Sequence, residues 1–124
     1  MPRSRSRKSA RAAGTRFERE IAEALARALN DDRIERRART GARDRGDIAG
    51  VRCRGHRVVV ECKNAVRLDL PAWTREARIE AGNDEAICGV VVHKRHGTSD
   101  PLAQWVSMTL ADFVALLTGQ AVEQ

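Results

Sequence analysis

Phe17, Ile21, Leu25 and Leu29 recur every fourth residue, and at about 100° per residue they share one arc of a helix. The spacing predicts a helix over 17–29, stopped by the polar run Asn30-Asp31-Asp32. A short strand is expected over 34–38, then an Arg- and Gly-rich loop over 40–46. The apolar-rich runs 47–53 and 57–63, separated by Arg54-Gly55-His56, predict a β-hairpin. Pro71 suits the first turn of a second helix carrying Trp73, Ala77 and Ala81, and Gly82-Asn83 marks its end. Residues 86–93 form a nearly continuous apolar run of strand length, and 104–108 suits a further strand. Thr109, followed three positions on by Asp112, resembles a capping box opening a last helix through Leu117, with Gly119 as its stop. The expected order is α-β-β-β-α-β-β-α, a single α/β domain over 14–119 with a mixed sheet flanked by helices. Residues 1–13 read as an unstructured basic arm and 120–124 as a short tail.

Alternation along 57–63 puts Val59, Glu61 and Lys63 on one face and Val58, Val60 and Cys62 on the other. A three-residue loop at 54–56 would set Val51 opposite Val59, Ala49 opposite Glu61 and Asp47 opposite Lys63. Asp47 would then lie diagonal to Glu61 on the same face, roughly 7 Å away. Two carboxylates so placed can share a hard cation. A one-residue change in the loop would turn Asp47 to the other face. In the first helix Glu20 and Glu23 project on the polar side, whereas Glu18 falls inside the arc bounded by Phe17 and Leu29. A carboxylate on a core-facing stripe needs a partner, so Glu18 is either a third acid of the site or an edge residue paired with an arginine.

Charge sharpens this picture. Lys and Arg outnumber Asp and Glu by 23 to 17, and residues 1–16 hold six bases and no acid, enough to account for the net charge of +6. Arg33, Arg36, Arg37, Arg39, Arg43 and Arg45 cluster ahead of Asp47, a density suited to phosphate contact. Lys94 and Arg95 read either as further phosphate contacts or as a solvated loop. Only Lys8, Lys63 and Lys94 are lysines, so Lys63 beside Glu61 is a choice against the prevailing arginine. A partly desolvated lysine can orient or activate a water and screen developing charge, which an arginine does poorly.

With Tyr absent and aromatics at 3%, a track of stacked single-strand bases has little material, and duplex backbone recognition fits better. Trp73 and Trp105 are expected as core anchors, with base stacking as the alternative. His93 and His96 lack a third ligand at zinc spacing. Cys53, Cys62 and Cys88 form an odd set in apolar surroundings, as reduced core thiols do. No run approaches the roughly 18 apolar residues of a membrane span and no secretory signal is visible, so the expected location is cytoplasmic.

Arg45-Gly46-Asp47-Ile48, followed after the hairpin by Val58-Val59-Val60-Glu61-Cys62-Lys63, resembles the motif of the PD-(D/E)XK nuclease superfamily. Gly14-Thr15-Arg16-Phe17-Glu18-Arg19, heading a helix before it, is similar to the opening of the archaeal-type Holliday junction resolvases and their small phage-encoded relatives. The resemblance covers residues 14–64 and, beyond them, the order of elements. It implies a restriction-endonuclease-like fold and Mg²⁺, with Mn²⁺ as substitute, held by Asp47, Glu61, the carbonyl of Cys62 and Glu18. Lys63 takes the water-activating role. Thr40 is the nearest match to a serine that assists in the archaeal group, and Gly46 stands where the motif usually has proline.

The expected function is a structure-selective DNA endonuclease, a Holliday junction resolvase cutting four-way junctions. A nicking or restriction-type endonuclease of the same fold and a non-catalytic DNA-binding protein are the alternatives. DNA contacts are expected from Arg16, Arg36, Arg37, Arg39, Arg43, Arg45, Lys94 and Arg95. Cutting two strands of a junction calls for two copies, so a homodimer is expected, joined through Trp73, Ile79, Trp105, Phe113, Val114 and Leu117.

Overall fold

The computed structural model describes residues 6–38 and 43–123. Helix α1 (Arg7–Ala28) begins ten residues before the apolar repeat does. Ser6 caps it, its Oγ accepting from Ser9 N at 3.1 Å, and Ala10, Ala12, Ala13 and the flanking arginines are strong helix formers. The unstructured arm expected over 1–13 is thus corrected for 7–13. Those residues bury nothing, so hydrophobic periodicity carried no trace of them. Residues 1–5 lie outside the described residues.

Strands β1 (Glu35–Arg36), β2 (Ile48–Ala49), β3 (Arg52–Cys53) and β4 (His56–Lys63) follow. Then come α2 (Leu70–Asn83), β5 (Cys88–His93), a 3-10 turn at Pro101–Ala103, β6 (Trp105–Ser107) and α3 (Leu110–Thr118). Pro71 stands in the first turn of α2 as expected, behind an Asp69 cap that was not; the caps of α3 lie where the sequence signals them, Thr109 Oγ1 accepting from Asp112 N at 3.2 Å and Gly119 closing the helix. The sheet runs β1-β2-β4-β5-β6, with β3 also on β4. Among the described residues only β4 and β5 pair in parallel, as strands joined through a helix can; the other pairs are antiparallel. The fold is a mixed α/β domain with an open sheet flanked by helices.

The two faces of the sheet have different occupants. Val58, Val60 and Cys62 of β4, with Cys88, Val90 and Val92 of β5, pack beneath Phe17 and Ile21 of α1 and Ala115 of α3. On the other face Val91 packs against Trp73 and Ala77 of α2. Glu61 and Lys63 belong to this second face, so α2, and not α1, covers them.

The hairpin reaches the expected face by a different path. Its turn has two residues, not three: Arg54 and Gly55 take φ of 53° and 80°, the pattern of a type I′ turn, and Cys53 pairs with His56. That change alone would turn Asp47 towards α1. A second offset follows at Gly50, between β2 and β3, where residues 49 and 50 lie against Val59 alone. Below this bulge Ile48 pairs with Val60. Two single-residue shifts cancel in parity, so Asp47 returns to the face of Glu61 and lies beside it instead of diagonal to it. Gly50 has φ +89°, and a Cβ there would strike the Arg33 carbonyl, so only glycine fits the bulge.

Among the described residues no helix is long and apolar enough to cross a membrane. Cys53, Cys62 and Cys88 are free thiols, the last two buried.

Candidate metal centre

Asp47 is positioned by the end of β2 and by the loop before it. Its Oδ2 accepts from the Cys62 backbone N–H at 2.8 Å, and its own N–H donates to the Val60 carbonyl at 2.9 Å. Gly46 takes φ +93°, with Val59 Cγ1 2.8 Å from where a Cβ would stand. Proline, held near −65°, has no place at a residue with this φ. Further back, Asp44 Oδ1 accepts from Gly46 N at 2.9 Å, and Asn83 Nδ2 donates to the Asp44 carbonyl at 2.8 Å, tying the loop to the end of α2.

Asp44, Glu61 and Glu80 each bring a carboxylate oxygen to within 4.8 Å of the others. Glu61 and Glu80 are 1% and 2% exposed, and their four carboxylate oxygens accept no hydrogen bond among the described residues. Burial, followed by carboxyl contact with Asp47 and Glu80, pushes Glu61 far above the ordinary carboxylate range. Burial pushes Glu80 up to about 7; its contact with Glu61 works downwards, and the charges of Asp44, Glu76 and Asp47 work upwards. Without a counter-charge such a group cannot ionise fully, because like charges in a desolvated space repel. Convergent carboxyl oxygens that can ionise together only beside a cation, those of Glu61 and Glu80 accepting no backbone N–H among the described residues, are the chemistry of a hard divalent cation site. Asp44, Glu61 and Glu80 could therefore hold a metal ion between them.

Lys63 lies on the same face, its Nζ 2.8 Å from Glu76 Oε2 and 4.0 Å from Glu61 Oε2. Burial opposes its charge, but Glu76, Glu61 and Asp47 outweigh that and raise its pKa above the ordinary lysine value. It is held as an ammonium, a donor and a positive charge.

Glu18 is not among the three gathered carboxylates. It extends from α1 to Arg36, whose Nε lies 3.4 Å from Glu18 Oε1, the edge pairing that was the alternative reading of this residue. Asp47 is not one of the three either, whereas Glu80, which sequence reasoning missed, is. The signal was present: Glu80 lies seven residues after Trp73 and three after Ala77, inside the apolar arc of α2. Cys62 meets the cluster through its N–H, while its thiol lies in the core and burial raises its pKa. Thr40 and Arg39 lie outside the described residues.

The basic residues separate into groups. Arg37 and Arg45, with Arg52 and Arg57, line a cavity of about 180 Å³, where Asp84 Oδ2 is 3.7 Å from Arg37 Nη2 and the buried Arg37 Nε has no hydrogen-bond partner among the described residues. Arg36 is drawn to Glu18, and Arg43 is exposed. Arg16 and Lys94 line a separate cleft of about 310 Å³, with Lys94 Nζ donating to the Thr98 carbonyl at 2.6 Å. Arg95 stacks on Trp105, its guanidinium carbon 4.5 Å from the ring centroid. His93 Nε2 meets Ser107 Oγ at 2.7 Å and His96 Nε2 meets the Ala65 carbonyl at 3.2 Å. Trp73 is a core anchor as expected, but Trp105, on the edge strand, is 49% exposed. No family model, curated protein or solved structure matches the chain.

Proposed function

We propose that this chain is a divalent-metal-dependent DNA endonuclease. The observation that carries the reading is the meeting of Asp47, Glu61 and Lys63 on one sheet face, beside buried carboxylate oxygens that lack donors. The order of helices and strands, with its parallel β4–β5 pair, supports a restriction-endonuclease-like fold within the PD-(D/E)XK superfamily. Asp47, Glu61, Glu80 and Asp44 would hold Mg²⁺ or Mn²⁺. A hard divalent ion supplies Lewis-acid stabilisation of the charge that develops as a phosphodiester is attacked by water. Asp47 is oriented for this by the Cys62 N–H. Lys63, kept protonated, donates to the water or to a phosphoryl oxygen and so serves as a fixed positive charge at the reacting centre. Arg37, Arg45, Arg52 and Arg57 lie where the DNA backbone can be held.

A four-way junction remains the preferred substrate within this reading, cut by two copies in cytoplasmic DNA recombination or repair. The test incubates labelled four-way junction, nicked duplex and linear duplex with Mg²⁺. Junction cleavage that is abolished in Asp47→Ala and Glu61→Ala, with DNA affinity retained within a few-fold, is the expected result. Cleavage of all three DNAs in EDTA would overturn the metal mechanism, and activity confined to nicked or linear duplex would overturn the junction preference.

A further inference from the structure

Beyond Lys63 the same sheet face opens into a cleft of about 490 Å³ that the proposed chemistry does not use. Its walls include the indoles of Trp73 and Trp105, the His93 ring and the loop residues Val66 and Leu68, while Lys94 and His96 add polar groups. Trp73 is buried and meets the His93 ring at 5.4 Å between centroids, so one end of the cleft is a fixed aromatic wall. Val66 and Leu68 are 84% and 68% exposed, large apolar side chains left in water beside a half-exposed tryptophan. Such a concave, mostly apolar space with a few polar groups suits a planar ligand that has apolar faces and a polar edge. His93 adds to this: with Nε2 engaged by Ser107, its Nδ1 is buried and has no hydrogen-bond partner among the described residues.

The position of the cleft narrows the ligand. His93 pairs with Lys63 across the parallel strands, and Lys94 N–H donates to the Lys63 carbonyl at 3.0 Å. On α2, Trp73 lies one turn from Glu76, the ion partner of Lys63, and about 10 Å along the axis from Glu80. Lys94 and Arg95 beside the cleft favour a polyanion. We infer that the cleft receives a single unpaired nucleobase of the bound DNA, displaced from its stack within a few nucleotides of the phosphate held at the acid cluster. This rests on the DNA-cleaving reading and specifies its substrate: a strand with a base free to leave the helix. Two tryptophans make a seat for one base, not a track, which agrees with the scarcity of aromatics.

The test measures binding in EDTA, by fluorescence anisotropy, to three labelled duplexes: fully paired, with one unpaired base, and with an abasic residue in place of that base. The wild-type protein binds the unpaired-base duplex about ten-fold more tightly than the abasic one, the effect of one base on an indole. Trp105→Ala brings that ratio close to one, Trp105→Phe keeps part of it, and Glu23→Gln, on the exposed side of α1, leaves it intact. Because Trp105 lies on an edge strand, thermal melting of both Trp105 variants serves as the fold control. A ratio near one in the wild-type protein, or an undiminished ratio in Trp105→Ala, overturns the base pocket while leaving the nuclease reading standing. A ratio near one together with dissociation of a dimer by Trp105→Ala would assign the cleft to a second copy instead. Failure to bind any of the three duplexes would overturn the DNA reading, and the pocket with it.

Discussion

Glu18 and Glu80 are both carboxylates set within the apolar arc of a helix, yet their surroundings differ. An arginine answers Glu18 and leaves a local ion pair at the sheet edge. At Glu80 the neighbours are other acids, so its charge is tolerated only beside a proton or a cation. The two roles separate by mutation. Glu80→Gln is expected to weaken Mn²⁺ binding by about ten-fold or more, read by calorimetric titration, since ligand charge sets affinity at hard-cation sites. Glu18→Gln should leave it within two-fold. The reverse ranking would return the third ligand to α1.

At the scale of elements, the hairpin depends on a bulge. Gly50→Ala places a Cβ against the Arg33 carbonyl at φ +89°. The expected cost is about 2–4 kcal/mol, from the strained dihedral and the clash together. It should appear as a fall in the denaturation midpoint accompanied by loss of metal binding, because the bulge sets the face on which Asp47 lies. A variant as stable as the wild type would mean that β2 can re-register without the bulge. The α2 helix carries as much of the site as the hairpin does. Its buried face supplies both an apolar anchor, Trp73, and the carboxylate of Glu80, so the element that completes the core also completes the cluster.

For the whole molecule, the acid cluster couples stability to pH and metal. Glu61 and Glu80 titrate near 4.5 when unfolded and higher when folded. The folded state therefore binds more protons over this range, and the stability it gains is full below 4.5 and is lost as pH rises, through about 7 for Glu80 and beyond for Glu61. Burial of His93 lowers its pKa and acts oppositely, penalising the folded state below its ordinary 6.5, so total stability mixes the two. The increment due to metal isolates the cluster. Mg²⁺ or Mn²⁺ should raise Tm by several degrees at pH 8 and progressively less towards pH 5.5, where protons compete for the same oxygens. An increment independent of pH would place the ion elsewhere.

The proposed dimer belongs to the same scale. Of the residues expected at its interface, Trp73 is in the core, while Ile79, Trp105, Phe113, Val114 and Leu117 are exposed, between 37% and 60%. Exposed apolar groups in such number are the material of an interface. Sedimentation at micromolar concentration should give a dimer that Phe113→Asp with Leu117→Asp dissociates, and a monomer both free and on a junction would favour a nicking enzyme.

Consecutive residues determine the local pattern by themselves. Alternation on β4 put Glu61 and Lys63 on one surface, and periodicity and turn signals marked α2, α3 and the buried part of α1, because these follow from the geometry of a short stretch of chain. The shared face of Asp47 and Glu61 was also legible, although it was reached through a turn and a bulge whose shifts happen to cancel. Tertiary structure alone decided which helix covers which face, for that depends on how the whole apolar surface is buried. It thereby matched Glu18 with Arg36, brought Glu80 and Asp44 to Glu61, and left Trp105 at an edge. Partners distant along the chain meet only through packing, and no spacing within a single element encodes that meeting.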